Sequence, residues 1–176
     1  MQDHQSGKTS WSFKKDGTRV TEVDFLIEDK LREQITSTYP DHGILGEERE
    51  PINPNADFVW VLDPIDGTFG FSKGVPLFGN LIGLTYKGRP LYGFLRLPMI
   101  NDTWISGDCK QSIINGKSLN PKAFSGMKDS LILTTDQQTL INSPFNKCWQ
   151  KAITLGAIAR TWGDCYGYYL LCLGEA

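Results

Sequence analysis

Two aspartates stand three residues apart in Val61-Leu62-Asp63-Pro64-Ile65-Asp66-Gly67-Thr68, and two more carboxylates lie upstream in Ile44-Leu45-Gly46-Glu47-Glu48. Pro64 and Gly67 force a sharp turn, which can aim both aspartates and the Ile65 carbonyl between them at one point. Clustered carboxylates with a main-chain carbonyl are the hard oxygen donors that Mg²⁺ prefers, in octahedral geometry at about 2.0–2.1 Å. Without a cation, carboxylates so close repel one another and shift one another's pKa values. Gly67 and Thr68 offer backbone N–H groups, and a helix starting at Thr68 would make them an anion site suited to phosphate. Metal-binding carboxylates beside a phosphate cradle point to metal-assisted phosphoester chemistry. Two metals about 3.5–4 Å apart could activate water on one side and stabilise the leaving oxygen on the other. Each fragment alone has a plainer reading. Asp-Pro-x-Asp-Gly is a turn, Gly46-Glu47-Glu48 a solvated loop, and Thr21 with Asp24 a helix cap. Their joint occurrence, in order around one apolar strand, favours the chemistry.

The elements that must position these groups are legible as periodicities. Thr21-Glu22-Val23-Asp24 is a capping box, and Val23, Ile27, Leu31 and Ile35 recur every four residues until Pro40 stops the helix. Phe58-Val59-Trp60-Val61-Leu62 is a continuous apolar run suited to a strand buried on both faces. That strand is expected to end at Asp63, because Pro64 cannot donate to a ladder. Leu77–Tyr86 and Leu91–Leu97 form a hairpin signal around Lys87-Gly88-Arg89-Pro90. Asp102–Ser106, Ser112–Ile114 and Leu131–Thr135 read as further strands, with a tight turn at Asn115-Gly116. Pro144–Leu155 reads as a helix, a short segment passes through Ala159, and a last apolar helix follows Trp162-Gly163-Asp164. The order helix, antiparallel strands, then alternating helix and strand predicts a mixed α/β layered fold.

Composition narrows the function classes. Among 176 residues, 18 basic side chains against 20 acidic give a net charge of −2, so no footprint for nucleic acid or an anionic membrane follows. The polar start lacks a signal-peptide core and no apolar run is long enough to span a bilayer, which predicts a soluble, cytoplasmic protein. Cys109, Cys148, Cys165 and Cys172 include no Cys-x-x-Cys pair. A disulfide framework is the alternative to the favoured reading of reduced, mostly buried thiols. His4 and His42 both stand in polar surroundings, which argues against a zinc site or a Ser-His-Asp triad. The chemistry rests on carboxylates, hydroxyls and backbone.

Trp60-Val-Leu-Asp63-Pro-Ile-Asp66-Gly-Thr68 resembles the first signature of the inositol monophosphatase family, magnesium-dependent and lithium-sensitive phosphatases. Gly46-Glu47-Glu48 stands the expected distance upstream. Lys14-Lys15-Asp16-Gly17-Thr18-Arg19-Val20-Thr21-Glu22-Val23-Asp24 is similar to the family's N-terminal motif, and the hairpin and Asn115-Gly116-Lys117 fall where members have them. The resemblance runs from Lys14 onward. It implies an αβαβα sandwich with an incomplete C-terminal part, divided into residues 1–136, an α+β metal- and phosphate-binding domain, and 137–176, the start of a second. It implies that Glu47, Asp63, the Ile65 carbonyl and Asp66 bind Mg²⁺. Thr68, hydrogen-bonded to Asp24, would orient the metal-activated water, and the Gly67 and Thr68 amides would hold phosphate oxygens. A homodimer is implied as well.

Within the family, Phe71–Ile82 and Arg160-Thr-Trp162-Gly163-Asp164-Cys165-Tyr166-Gly167-Tyr168 look most like the histidinol-phosphate phosphatase branch. Asp164 could pair with the substrate ammonium, or cap a helix after Gly163. Members also carry a metal-binding aspartate in a Trp-Asp signature, and this chain ends at Leu173-Gly174-Glu175-Ala176 before one. Little room precedes Lys14 for the family's first helix, so a truncated domain is expected. The function expected first is a Mg²⁺-dependent phosphomonoesterase acting on histidinol phosphate in histidine biosynthesis. The alternatives are an inositol monophosphatase or broad sugar-phosphate phosphatase, and an inactive fragment that only binds metal, phosphate or a partner subunit.

Overall fold

The computed structural model describes residues 11–13 and 19–176, so Lys14 to Thr18 of the N-terminal motif and His4 lie outside the described residues. β1 (Trp11–Phe13) and β2 (Arg19–Thr21) pair antiparallel and lead into α1 (Glu22–Thr38). Thr21 is the N-cap of α1, and the capping box closes with Asp24. A seven-stranded sheet follows, in sequence order: β3 (Gly43–Gly46), β4 (Phe58–Asp66), β5 (Gly79–Tyr86), β6 (Arg89–Leu97), β7 (Thr103–Asp108), β8 (Ser112–Ile114) and β9 (Lys117–Leu119). β3 runs parallel to β4 and every later pairing is antiparallel. Between β4 and β5 lies a short helix, α2 (Thr68–Ser72).

The remainder alternates. β10 (Leu131–Leu133) pairs in parallel with β11 (Ile158–Arg160), and α3 (Gln137–Ile141) and α4 (Asn146–Thr154) lie between them in sequence. α5 (Asp164–Leu173) closes the chain and is capped by Gly174 in the left-handed region. Ile35 of α1 packs with Ile44, Leu62, Trp60 and Ile82 on one face of the large sheet. Cys165, Tyr166 and Tyr169 of α5 pack with Leu81, Leu95 and Leu97 on the opposite face. Gly167 brings α5 against Leu133 of the small sheet: a Cβ there would stand 3.4 Å from Leu133 Cδ1. The layers therefore run helix, sheet, helix, sheet, a mixed α/β fold, and no helix among the described residues is long and apolar enough to cross a membrane.

Several local expectations are corrected. β4 does not stop at Asp63; it continues to Asp66 through a register shift, Asp63 pairing with Leu81 and Asp66 with Gly79. One extra residue on β4 makes a bulge, one of the few places in a sheet where proline is tolerated. β4 is not covered on both faces throughout, since Val61 is exposed. The hairpin turn is the two residues Lys87 and Gly88, both at positive φ, and Arg89 and Pro90 already belong to β6. The 144–155 segment starts helical structure only after its N-cap Phe145. All four cysteines are free, but Cys109 and Cys148 are exposed and only Cys165 is buried. His42 sits among aromatic rings, not polar groups: it stacks on Tyr39 and Phe58, and its Nδ1 accepts from Trp60 Nε1 at 3.0 Å.

Candidate functional site

The end of the parallel pair β3–β4 builds the site. Glu47 N–H donates to the Leu62 carbonyl at 3.1 Å, extending the ladder by one residue and setting Glu47 beside Asp63. The bulge then turns the chain. The Pro64 carbonyl accepts from Asn80 Nδ2 at 2.6 Å, and the Ile65 side chain drops into a cluster with Phe71 and Phe78. Gly67 follows in the left-handed region, with φ 89°, a conformation open to glycine at little cost, and α2 starts at Thr68 as expected.

Asp66 is a strongly perturbed group of the site. Its Oδ2 is buried without a hydrogen-bond partner. Burial, then the facing carboxylates of Asp164 and Glu47, push its pKa up to about 7, against the pull of the Gly67 N–H. Burial also drives the Cys165 thiol upward, and Asp66, Asp63 and Asp164 add to that shift. A half-buried carboxylate beside two others favours an added positive charge, and oxygen-only donors suit a hard divalent cation. The residues fit such an ion by their chemistry. The cage itself is not closed, since among the described residues no three carboxylate, imidazole or thiol groups converge tightly enough to hold a metal.

The other assigned residues are distributed around this turn. Asp24 is fully buried at the start of α1, where its Oδ2 accepts from Thr21 N at 2.9 Å and from the Thr21 hydroxyl. Thr68 Oγ1 donates to the Ile65 carbonyl at 2.9 Å, so the bond shown for its hydroxyl runs to Ile65. Of the two amides that the resemblance assigns to phosphate, Gly67's is turned toward the Asp66 carboxylate.

Asp164 comes from far along the chain. The helix cap of α5 is Gly163, which corrects the capping alternative for Asp164. Asp164 takes φ 53°, unusual for a residue with a Cβ, and its Oδ1 accepts from Thr135 Oγ1 at 2.9 Å. A Cβ built on Gly67 would lie 3.4 Å from Asp164 Oδ2. Asp164 thus borders both the carboxylate turn and a cleft of about 450 Å³ with walls that include Phe69, Phe78 and Trp162. Sequence reasoning missed Glu28 and Arg32, which lie buried against the Glu47 loop. Their i, i+4 spacing reads as an ordinary exposed ion pair.

Comparison with known proteins places this arrangement. The sequence pattern of the "Inositol monophosphatase family" matches residues 2–175. The chain is 32% identical over 163 residues to a histidinol-phosphatase of Chlorobaculum parvum, covering 93% of this chain and 63% of that protein. It is 33% identical to the chloroplastic bifunctional phosphatase IMPL2 of Arabidopsis thaliana, covering 92% of this chain and 47% of that protein. Among solved structures, an inositol monophosphatase from Zymomonas mobilis superposes with a TM-score of 0.73 at 32% identity, over 87% of this chain and 58% of that one. The chain therefore spans less than two thirds of each.

Proposed function

Because this chain belongs to the inositol monophosphatase family, we propose that it carries the phosphoryl-handling part of a magnesium-dependent phosphomonoesterase whose substrate is histidinol phosphate. The observation that supports this best is the bulged turn Asp63-Pro64-Ile65-Asp66-Gly67-Thr68, with the buried, partnerless Asp66 Oδ2 facing Asp164. Glu47, Asp63, the Ile65 carbonyl and Asp66 would hold the cation. A divalent cation bound there supplies charge neutralisation at phosphate and a more acidic water.

The chain's own residues do the rest by position. The Thr68 amide and, once released from Asp66, the Gly67 amide would hold phosphate oxygens. Thr68 would pass its hydroxyl bond from the Ile65 carbonyl to Asp24 and orient the attacking water, with Glu47 as the nearby acceptor of its proton. Asp164, on the rim of the cleft, would pair with the substrate ammonium while Phe69 and Trp162 flank the remainder of the molecule. Lithium sensitivity and a homodimer, both carried by the resemblance, and a cytoplasmic location, read from the polar start and the lack of a spanning apolar run, belong to the same proposal.

Two other readings keep specific support. The likeness to the Zymomonas mobilis enzyme favours an inositol monophosphate or another sugar phosphate. Coverage of less than two thirds of the relatives it matches supports a chain that binds metal or phosphate without turnover. Phosphate release from histidinol phosphate and an inositol monophosphate, measured in parallel with and without Mg²⁺, separates all three. Magnesium-dependent release mainly from histidinol phosphate is expected. Release from inositol monophosphate alone would replace the substrate, and release from neither would leave the binding reading. Asp164→Ala should cut kcat/KM on histidinol phosphate by roughly tenfold or more, the worth of one hydrogen bond to a charged group. An equal loss on an uncharged phosphate ester would remove Asp164 from substrate recognition.

A further inference from the structure

Helix α1 buries a polar face. Asp24 and Glu28 are 0% exposed and Arg32 8%, one helical turn apart and alongside the apolar residues that touch the sheet. The Glu28 carboxylate lies beneath the loop that follows β3. Its Oε2 accepts from Glu48 N–H at 2.7 Å, and its Oε1 accepts from Arg49 N–H at 3.1 Å and from Arg32 Nε at 2.7 Å. Arg32 then donates from Nη1 to the Glu50 carbonyl at 3.0 Å and from Nη2 to the Arg49 carbonyl at 3.1 Å. The approach is so close that a Cβ on Gly46 would sit 2.0 Å from Glu28 Oε1. On the outside, Arg49 pairs with Asp29 at 2.7 Å and covers the Phe25 ring.

A buried ion pair contributes little net stability compared with apolar residues of the same volume. What this pair does is local: it satisfies peptide groups at residues 48, 49 and 50, immediately after Glu47. The peptide of Glu47 itself is held by the Leu62 carbonyl. Glu47 is thereby pinned on both sides, next to carboxylates that repel it until a cation arrives.

We propose that Glu28 and Arg32 are positioning residues for Glu47: the pair holds the loop after β3 in the arrangement that sets Glu47 beside Asp63, so that this part of the ordering cost falls on folding and not on binding. This rests on the reading of Glu47 as a cation ligand. An outer partner that orients a ligand is typically worth about 10- to 100-fold in metal affinity.

The test is calorimetric titration of Mg²⁺ into this chain and into two variants. Glu28→Gln removes the charge at constant size. The double variant Glu28→Leu, Arg32→Met fills the space with apolar groups and leaves no unpaired charge; it is expected to keep its circular dichroism, with a lower thermal midpoint because the loop peptides lose their partners, even where the single variant fails to fold. Folded variants are expected to bind Mg²⁺ at least about tenfold more weakly than the parent, with phosphatase activity recovered at high Mg²⁺ so that the metal requirement moves more than kcat. A folded double variant that binds Mg²⁺ as tightly as the parent overturns the inference. Absence of any Mg²⁺ heat in the parent overturns the metal reading of Glu47, and this inference with it.

Discussion

At the scale of single residues, Asp66 ties stability to function with opposite signs. Its carboxyl is raised from the ordinary 3.8 to about 7, so the folded metal-free chain holds a proton there that the unfolded chain releases near pH 4. The folded state is then favoured below the unfolded pKa, and that advantage is lost as pH rises through 7. In the metal-free chain, thermal stability should fall between about pH 5 and pH 8, and Asp66→Asn should remove most of that slope. The same variant should be more stable than the parent at pH 8 and bind Mg²⁺ more weakly. Thermal melts in chelator at the two pH values check the sign; a parent slope that survives in Asp66→Asn places the titration elsewhere. Three of the four candidate ligands were legible in the sequence because Asp63, Ile65 and Asp66 occupy one contiguous turn with Gly67 and Thr68, and Glu47 stands in a short motif upstream. Glu28 and Arg32 were not, because only a loop some twenty residues away makes their i, i+4 pair a buried one. The encounter of Asp66 with Asp164 depends on tertiary packing alone, and no local pattern encodes it.

At the scale of elements, the periodicities read well where one rule acts and fail where two compete. The capping box and the i, i+4 stripe gave α1 its start and its packing face, since Val23, Ile27, Leu31 and Ile35 all reach the sheet-side clusters. β4 ran past its expected end because the bulge takes the proline out of the ladder while pairing resumes at Asp66. That continuation delivers Asp66 to Gly79 on β5, and Gly79 is where α5 meets the sheet. A Cβ on Gly79 would stand 2.2 Å from Cys165 Sγ and 2.4 Å from the Arg96 carbonyl. Neither neighbour is the end of a long flexible side chain, so both α5, which carries Cys165, and the β6 backbone at Arg96 would have to move. Gly79→Ala is therefore expected to cost about 1–3 kcal/mol, the usual range for overpacking. Thermal unfolding should show a loss of several degrees for a chain of this size. Because Asp164 precedes Cys165, the shift should also raise KM for a cationic substrate. An unchanged midpoint would mean that the α5 contact yields freely.

Across the whole molecule the core is distributed unevenly. Ile35, Ile44, Val59, Leu62, Ile65, Phe71, Phe78, Leu95, Leu97 and Ile105 are all buried, whereas beyond them only Ala157 and Cys165 are buried hydrophobics among the described residues. The small sheet is one parallel pair of three-residue strands, and α3 and α4 bury no residue fully. Two short strands are marginal without more cover. Phe145 is 70% exposed and Ile141 54%. Local opening free energies follow buried apolar contact, so residues 131–160 should open well before the β4–β6 sheet does. Hydrogen exchange read by mass spectrometry should show amides of β4, β5 and β6 protected orders of magnitude longer than those of β10, α4 and β11; equal protection would make the chain one cooperative unit. The consequence for the site is asymmetric. Asp164 is held from one side by Cys165 in the large-sheet core and from the other by Thr135, two residues past the end of β10. Opening of the small sheet frees Thr135 and loosens Asp164, while Asp63 and Asp66 stay fixed on β4. Mild denaturant should therefore weaken the binding of a cationic substrate before it weakens the binding of Mg²⁺.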